Sequence, residues 1–105
     1  RPAMKRMLMI ATLAATSLST ASLAADTKEQ SCAYQADIVS AVQAARADGV
    51  KEQKVSETIL AADHSWPEGY DAAIPIITPW VYEQKRKDLK TKDFAAAWSE
   101  LCLQQ

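Results

Sequence analysis

Residues 27–50 read TKEQSCAYQADIVSAVQAARADGV, and this stretch decides the fold class. Thr27 and Gln30 have the spacing of a capping box, in which a hydroxyl and a side-chain amide each satisfy a backbone N–H at a helix start. From there Tyr34, Ile38, Ala41, Val42 and Ala45 recur at i, i+4, i+7, i+8 and i+11, which is one apolar helix face. Gly49 ends the pattern, because glycine takes the left-handed conformation that closes a helix, and Val50 is then placed to pack back on Ala45.

Downstream, a shorter helix is expected over about residues 51–62, with Val55, Thr58, Ile59 and Ala62 on one side, so that Gly49 becomes the corner of a helical hairpin. The run DHSWPEG at 63–69 interrupts it; Pro67 and Gly69 suit the second and fourth positions of a type I turn. Ile74, Ile77 and Val81 resume a helical period, but Pro75 and Pro79 each lack a backbone donor. The cheapest arrangement makes Thr78 an N-cap with Pro79 in the first helical position, which predicts a kinked or broken helix over residues 70–87. A last helix should start near Thr91, with Asp93 in its first turn and Phe94, Ala97, Trp98, Leu101 and Cys102 on a single face. Only two Gly, three Tyr and one Phe among 105 residues fit an all-α chain.

Upstream, Met4, Lys5 and Arg6 give a positive start, residues 7–18 (MLMIATLAATSL) are apolar, and residues 19–24 (STASLA) are small or polar. That order is the logic of a cleavable secretory signal, with Ser22 and Ala24 as the small residues before the cut. The apolar run is shorter than the ~20 residues that span a bilayer. Arg1 to Ala3 precede Met4 and are read as read-through. The expected division is therefore a signal peptide over 1–24 and one helical domain over 25–105, located in the periplasm or secreted. Without Arg1, Lys5 and Arg6, nine bases face thirteen acids, a net charge of −4, which speaks for solubility and against general nucleic-acid binding.

After export, Cys32 and Cys102 are the two thiols of the chain and are expected to pair in an oxidising compartment, joining the first and last helices. The predicted fold is thus an all-α bundle of three to four helices closed by one disulfide. Neither a Cys-x-x-Cys motif nor a base beside either cysteine points to redox chemistry, and two Cys with one His give no zinc spacing.

The remaining residues give no catalytic, cofactor or metal assignment. Asp63-His64-Ser65 are consecutive and cannot easily form a nucleophile–base–orienter line. Asp37, Asp48, Glu52 and Glu57 read as solvated helix faces. Lys85, Arg86, Lys87, Lys90 and Lys92 crowd five bases into eight residues. The favoured reading is complementation of a helix carboxyl end; the alternative is an anionic partner. Among three tryptophans, Trp98 has a core phase, whereas Trp66 in the turn and Trp80 at the stripe's border are candidates for an aromatic binding surface.

Cys32, the Arg46-x-x-Gly49 corner, Tyr70, the run Trp80-Val81-Tyr82 and the closing Cys102 together resemble a group of small exported proteobacterial proteins of unassigned function. Pro79 departs from that pattern. The resemblance implies a helical fold and an exported address, and no activity. A looser similarity, of plan alone, is to periplasmic acid-stress chaperones, which are also short, helical and held by one disulfide. The expected function is a non-enzymatic binding or structural module with a macromolecular partner such as an envelope protein, and without nucleic acid; a membrane surface is disfavoured. A periplasmic stress chaperone is the runner-up, and an envelope enzyme with an unrecognised site is third.

Overall fold

A computed structural model describes residues 25–105, and the expected signal peptide over 1–24 lies outside the described residues. The described chain contains four α-helices and no strand: α1 (Lys28–Ala47), α2 (Val55–Leu60), α3 (Ile74–Tyr82) and α4 (Phe94–Leu103). Single 3-10 segments precede α2 (Glu52–Lys54) and α3 (Glu68–Ala73), and a third, Arg86–Leu89, joins α3 to α4.

The long α1 is the spine. Its start is the expected capping box: the Gln30 N–H donates to Thr27 Oγ1 at 3.0 Å, and the Thr27 N–H donates to Gln30 Oε1 at 2.9 Å. Its end is a Schellman closure around Gly49 (φ +85°), with the Val50 N–H on the Ala45 carbonyl and the Gly49 N–H on that of Arg46, both at 2.9 Å. Between these ends Ile38, Val39, Val42 and Ala45 are buried, and α4, α3 and α2 all pack on α1. The core is completed by Val55, Ile59, Trp66, Ile74, Ile77, Val81 and Phe94. Cys32 and Cys102 form the expected disulfide, with their Cα atoms 5.7 Å apart, and so fasten α4 to the first half of α1.

Three local expectations are corrected. Pro79 lies inside α3, and Thr78 is no N-cap: it is buried, and its hydroxyl donates to the Ile74 carbonyl at 2.6 Å. An unbroken helix is what keeps Ile74, Ile77 and Val81 together in the core, while Pro75 and Pro79 both face solvent, where water can meet a carbonyl freed by a missing N–H. The 70–87 span is broken as expected, but on either side of α3 rather than at Pro79. Pro67 is extended (ψ 149°), so residues 66–69 do not form a type I turn; the chain turns at the following 3-10 segment, where the Tyr70 N–H donates to the Pro67 carbonyl at 2.9 Å. Finally, α4 starts at Phe94, with Asp93 as N-cap accepting from the Ala96 N–H at 3.0 Å. Of its expected inward face, Phe94 is buried and Trp98 and Cys102 are half-buried, but Ala97 and Leu101 are exposed. Similarly, in α2 Val55 and Ile59 are buried whereas Thr58 and Ala62 are not.

Two side chains tie the connectors to α1. Gln43 donates from Nε2 to the carbonyls of Leu89 (2.8 Å) and Lys92 (2.9 Å) and accepts the Phe94 N–H on Oε1 (3.3 Å). Arg46 donates from Nη1 to the carbonyls of Val81 (2.8 Å) and Gln84 (2.7 Å), satisfying the carboxyl end of α3, and its guanidinium lies 5.4 Å from the centre of the Tyr82 ring. The Tyr82 hydroxyl donates to the Val50 carbonyl at 2.6 Å, so the Gly49 corner, α1 and α3 are locked as one unit.

Candidate functional site

The helical period places Lys28, Ser31, Cys32 and Gln35 on one stripe of α1. Trp98, Leu101, Cys102 and Gln105 have the same spacing about the other cysteine, the last of them just beyond α4. The disulfide brings these two stripes face to face. Between them lies a groove of about 640 Å³, with Trp80 of α3 contributing to its wall.

The walls are mostly apolar. The Trp80 and Trp98 rings meet edge to face, with centroids 5.1 Å apart and planes at 70°, and Trp80 also meets buried Phe94 at 6.1 Å. Leu101 is 52% exposed beside them. The polar groups in the walls are engaged with one another: the Trp98 indole N–H donates to Gln35 Oε1 at 2.9 Å, and Gln35 Nε2 donates to Ser31 Oγ at 3.1 Å. Lys28 is the charged side chain of the lining, and its ammonium donates to the backbone oxygen of Gln105, leaving two further donors on the same nitrogen.

The other candidate residues do not join this groove. Trp66 is buried (6% exposed), and it is therefore corrected from a surface candidate to a core residue; its N–H donates to Asp71 Oδ1 at 2.9 Å, and the His64 ring stacks on it at 4.9 Å. Burial follows because the 63–69 run folds back over α1 and α2, a tertiary event that the turn-like sequence does not announce. Lys85, Arg86, Lys87, Lys90 and Lys92 are exposed on the connector beyond α3. Arg46, not this basic run, meets the last α3 carbonyls. Arg86, Lys87 and Lys90 instead border the carboxyl end of α1 at Ala47, and Lys92 lies 3.5 Å from Asp88. His64 and Ser65 face different carboxylates, with His64 Nε2 3.5 Å from Asp71 and the Ser65 hydroxyl donating to Asp37 at 3.1 Å, so they do not act on a common point. Among the described residues, no group of three or more His, Cys, Asp or Glu is placed to hold a metal ion, and no helix is long and apolar enough to cross a membrane.

The groove was not foreseen from the sequence, yet a signal for it is present in the identical spacing of flanking residues about the two cysteines. Once they pair, Lys28, Ser31 and Gln35 must confront Trp98, Leu101 and Gln105. Comparison of the chain with protein-family models, with curated proteins and with solved structures finds no match.

Proposed function

We propose that this chain is an exported, non-enzymatic binding module whose ligand site is the groove between α1 and α4. The observation that carries this reading is the wall of Trp80, Trp98 and Leu101, apolar side chains left partly open beside one another. Its volume falls within the range of small-molecule sites, and an apolar lining with few polar groups is their usual composition. The disulfide supports an exported setting, since such bonds persist in oxidising compartments. The Trp98–Gln35–Ser31 hydrogen bonds hold the wall in one arrangement, which supports a preformed binding surface.

Titration with the neutral solvatochromic dye Nile red tests the reading. One molecule of dye per chain should bind with a blue-shifted emission, and Leu101→Asp should abolish the shift while leaving the helical circular dichroism unchanged. Dye binding that Leu101→Asp does not alter would remove the groove from the account. The chaperone reading has one observation in its favour, the outer face of α3, where Pro75, Ile76 (73% exposed) and Pro79 lie open together. Suppression of light scattering from a denaturing client, lost in Ile76→Asp, would favour it over the groove.

A further inference from the structure

Resting on the groove as the binding site, we infer that its ligand is a free long-chain carboxylate, with the hydrocarbon against Trp80, Trp98 and Leu101 and the carboxylate at Lys28. The lining chooses the chemistry. A ligand rich in hydrogen-bonding groups, such as a sugar, a nucleoside or an extended peptide, would bury amides or hydroxyls against two indoles, a leucine and a disulfide. The Trp98 N–H is taken by Gln35 and Gln35 is bonded to Ser31, which leaves the Ser31 hydroxyl proton, one Gln35 N–H and the Gln105 amide to answer them. Each further group left unanswered costs about 1–3 kcal/mol, so ligands rich in such groups are disfavoured. A hydrocarbon chain has no such groups and gains from leaving water.

Charge selects the head group. Lys28 is the charged residue among those lining the groove, and it sits at the first turn of α1, where the helix field also favours an anion. Its ammonium reaches across to the backbone oxygen of Gln105 and so spans the rim rather than pointing away from it. A carboxylate placed there gains a charge-assisted hydrogen bond from either remaining N–H. The source is a free molecule rather than a bilayer, because an anionic bilayer is held by a spread of basic side chains and the groove lining offers one, Lys28.

The test follows the three indole N–H resonances of the oxidised protein at neutral pH during titration with dodecanoate, dodecanol or dodecyltrimethylammonium, all kept below micelle formation. Dodecanoate should shift the Trp80 and Trp98 signals saturably and leave buried Trp66 in place. Dodecanol should bind more weakly and the cation weakest. Lys28→Gln, a change at an exposed position, should weaken dodecanoate about tenfold, the scale of one charge-assisted contact, without changing the affinity for dodecanol. Equal binding of all three amphiphiles, or no loss in Lys28→Gln, overturns the carboxylate assignment while leaving the groove as an apolar site. Failure of all three to move Trp80 or Trp98 overturns the assignment together with the groove reading. Binding to phosphatidylglycerol vesicles with no binding of monomeric dodecanoate also overturns it, in favour of a membrane surface.

Discussion

Gln43 is a polar residue in the middle of α1 whose amide joins three backbone groups that lie 46 to 51 residues further along the chain. Replacing it by alanine strands the Leu89 carbonyl and the Phe94 N–H in half-buried positions, whereas the Lys92 carbonyl is exposed and turns to water. With about 1 kcal/mol for each half-buried group left without a partner, the cost is about 2 kcal/mol. For a domain of this size that is a substantial share of a total of order 5 kcal/mol. Urea unfolding followed by tryptophan fluorescence measures it, and at a slope of about 1 kcal/mol per molar the midpoint should fall by roughly 2 M. Gln43→Glu sharpens the test, because a carboxylate still accepts from Phe94 but sets negative charge against two carbonyls. It should cost at least as much as alanine at neutral pH and recover in part below about pH 4, where the acid regains a donor. A Gln43→Ala midpoint within about 0.5 M of the parent would refute the clamp.

The disulfide encloses a loop with a sequence separation of 70, for which chain entropy gives about 4 kcal/mol. Cys32→Ser with Cys102→Ser should therefore leave the domain close to unfolding at room temperature, as read by calorimetry; a loss below about 1 kcal/mol would contradict this. Burial pushes the Tyr82 phenol above its ordinary value, with Arg46 opposing. A raised folded pKa gives stability that is complete below about pH 10 and lost as pH rises through the folded value, so the melting temperature should decline in alkali. That decline should be smaller in Tyr82→Phe, and equal declines in the two proteins would show that Tyr82 is not its source. Changing Lys87, Lys90 and Lys92 to Gln should alter stability by less than about 1 kcal/mol, since these side chains are exposed and Lys92, which lies 3.5 Å from half-buried Asp88, holds its ammonium in solvent. It should also leave association with anionic vesicles unchanged; salt-sensitive binding by the parent that the variant loses would reverse that reading.

What the sequence made legible was local. The Thr27 and Gln30 box, the α1 face and the Gly49 closure each depend on residues within a few positions of one another, and all three appear in the structure. The disulfide was also accessible, because two cysteines admit one pairing. Where local and tertiary demands conflict, the tertiary demand prevails. Pro79 is a helix breaker by its own chemistry, yet it stays in α3 because breaking there would take Ile77 and Val81 off the face they share with Ile74. Trp66 looks like a turn residue, but the 63–69 run carries it into the core. Gln43 gave no signal, since a glutamine on a helix flank reads as solvated until the α3–α4 connector is laid across it. The groove lay between these cases: its two stripes could be read from the cysteine spacing, but the exposure of Leu101 could not, because it depends on where α4 stops covering α1.

Intermolecular nuclear Overhauser contacts between bound dodecanoate and the oxidised protein locate the ligand. Contacts are expected from the hydrocarbon protons to the Trp80 and Trp98 rings and the Leu101 methyls, with the carbon beside the carboxylate nearest Lys28. Contacts centred on Ile76 and the outer face of α3, or on no single face, would contradict that placement.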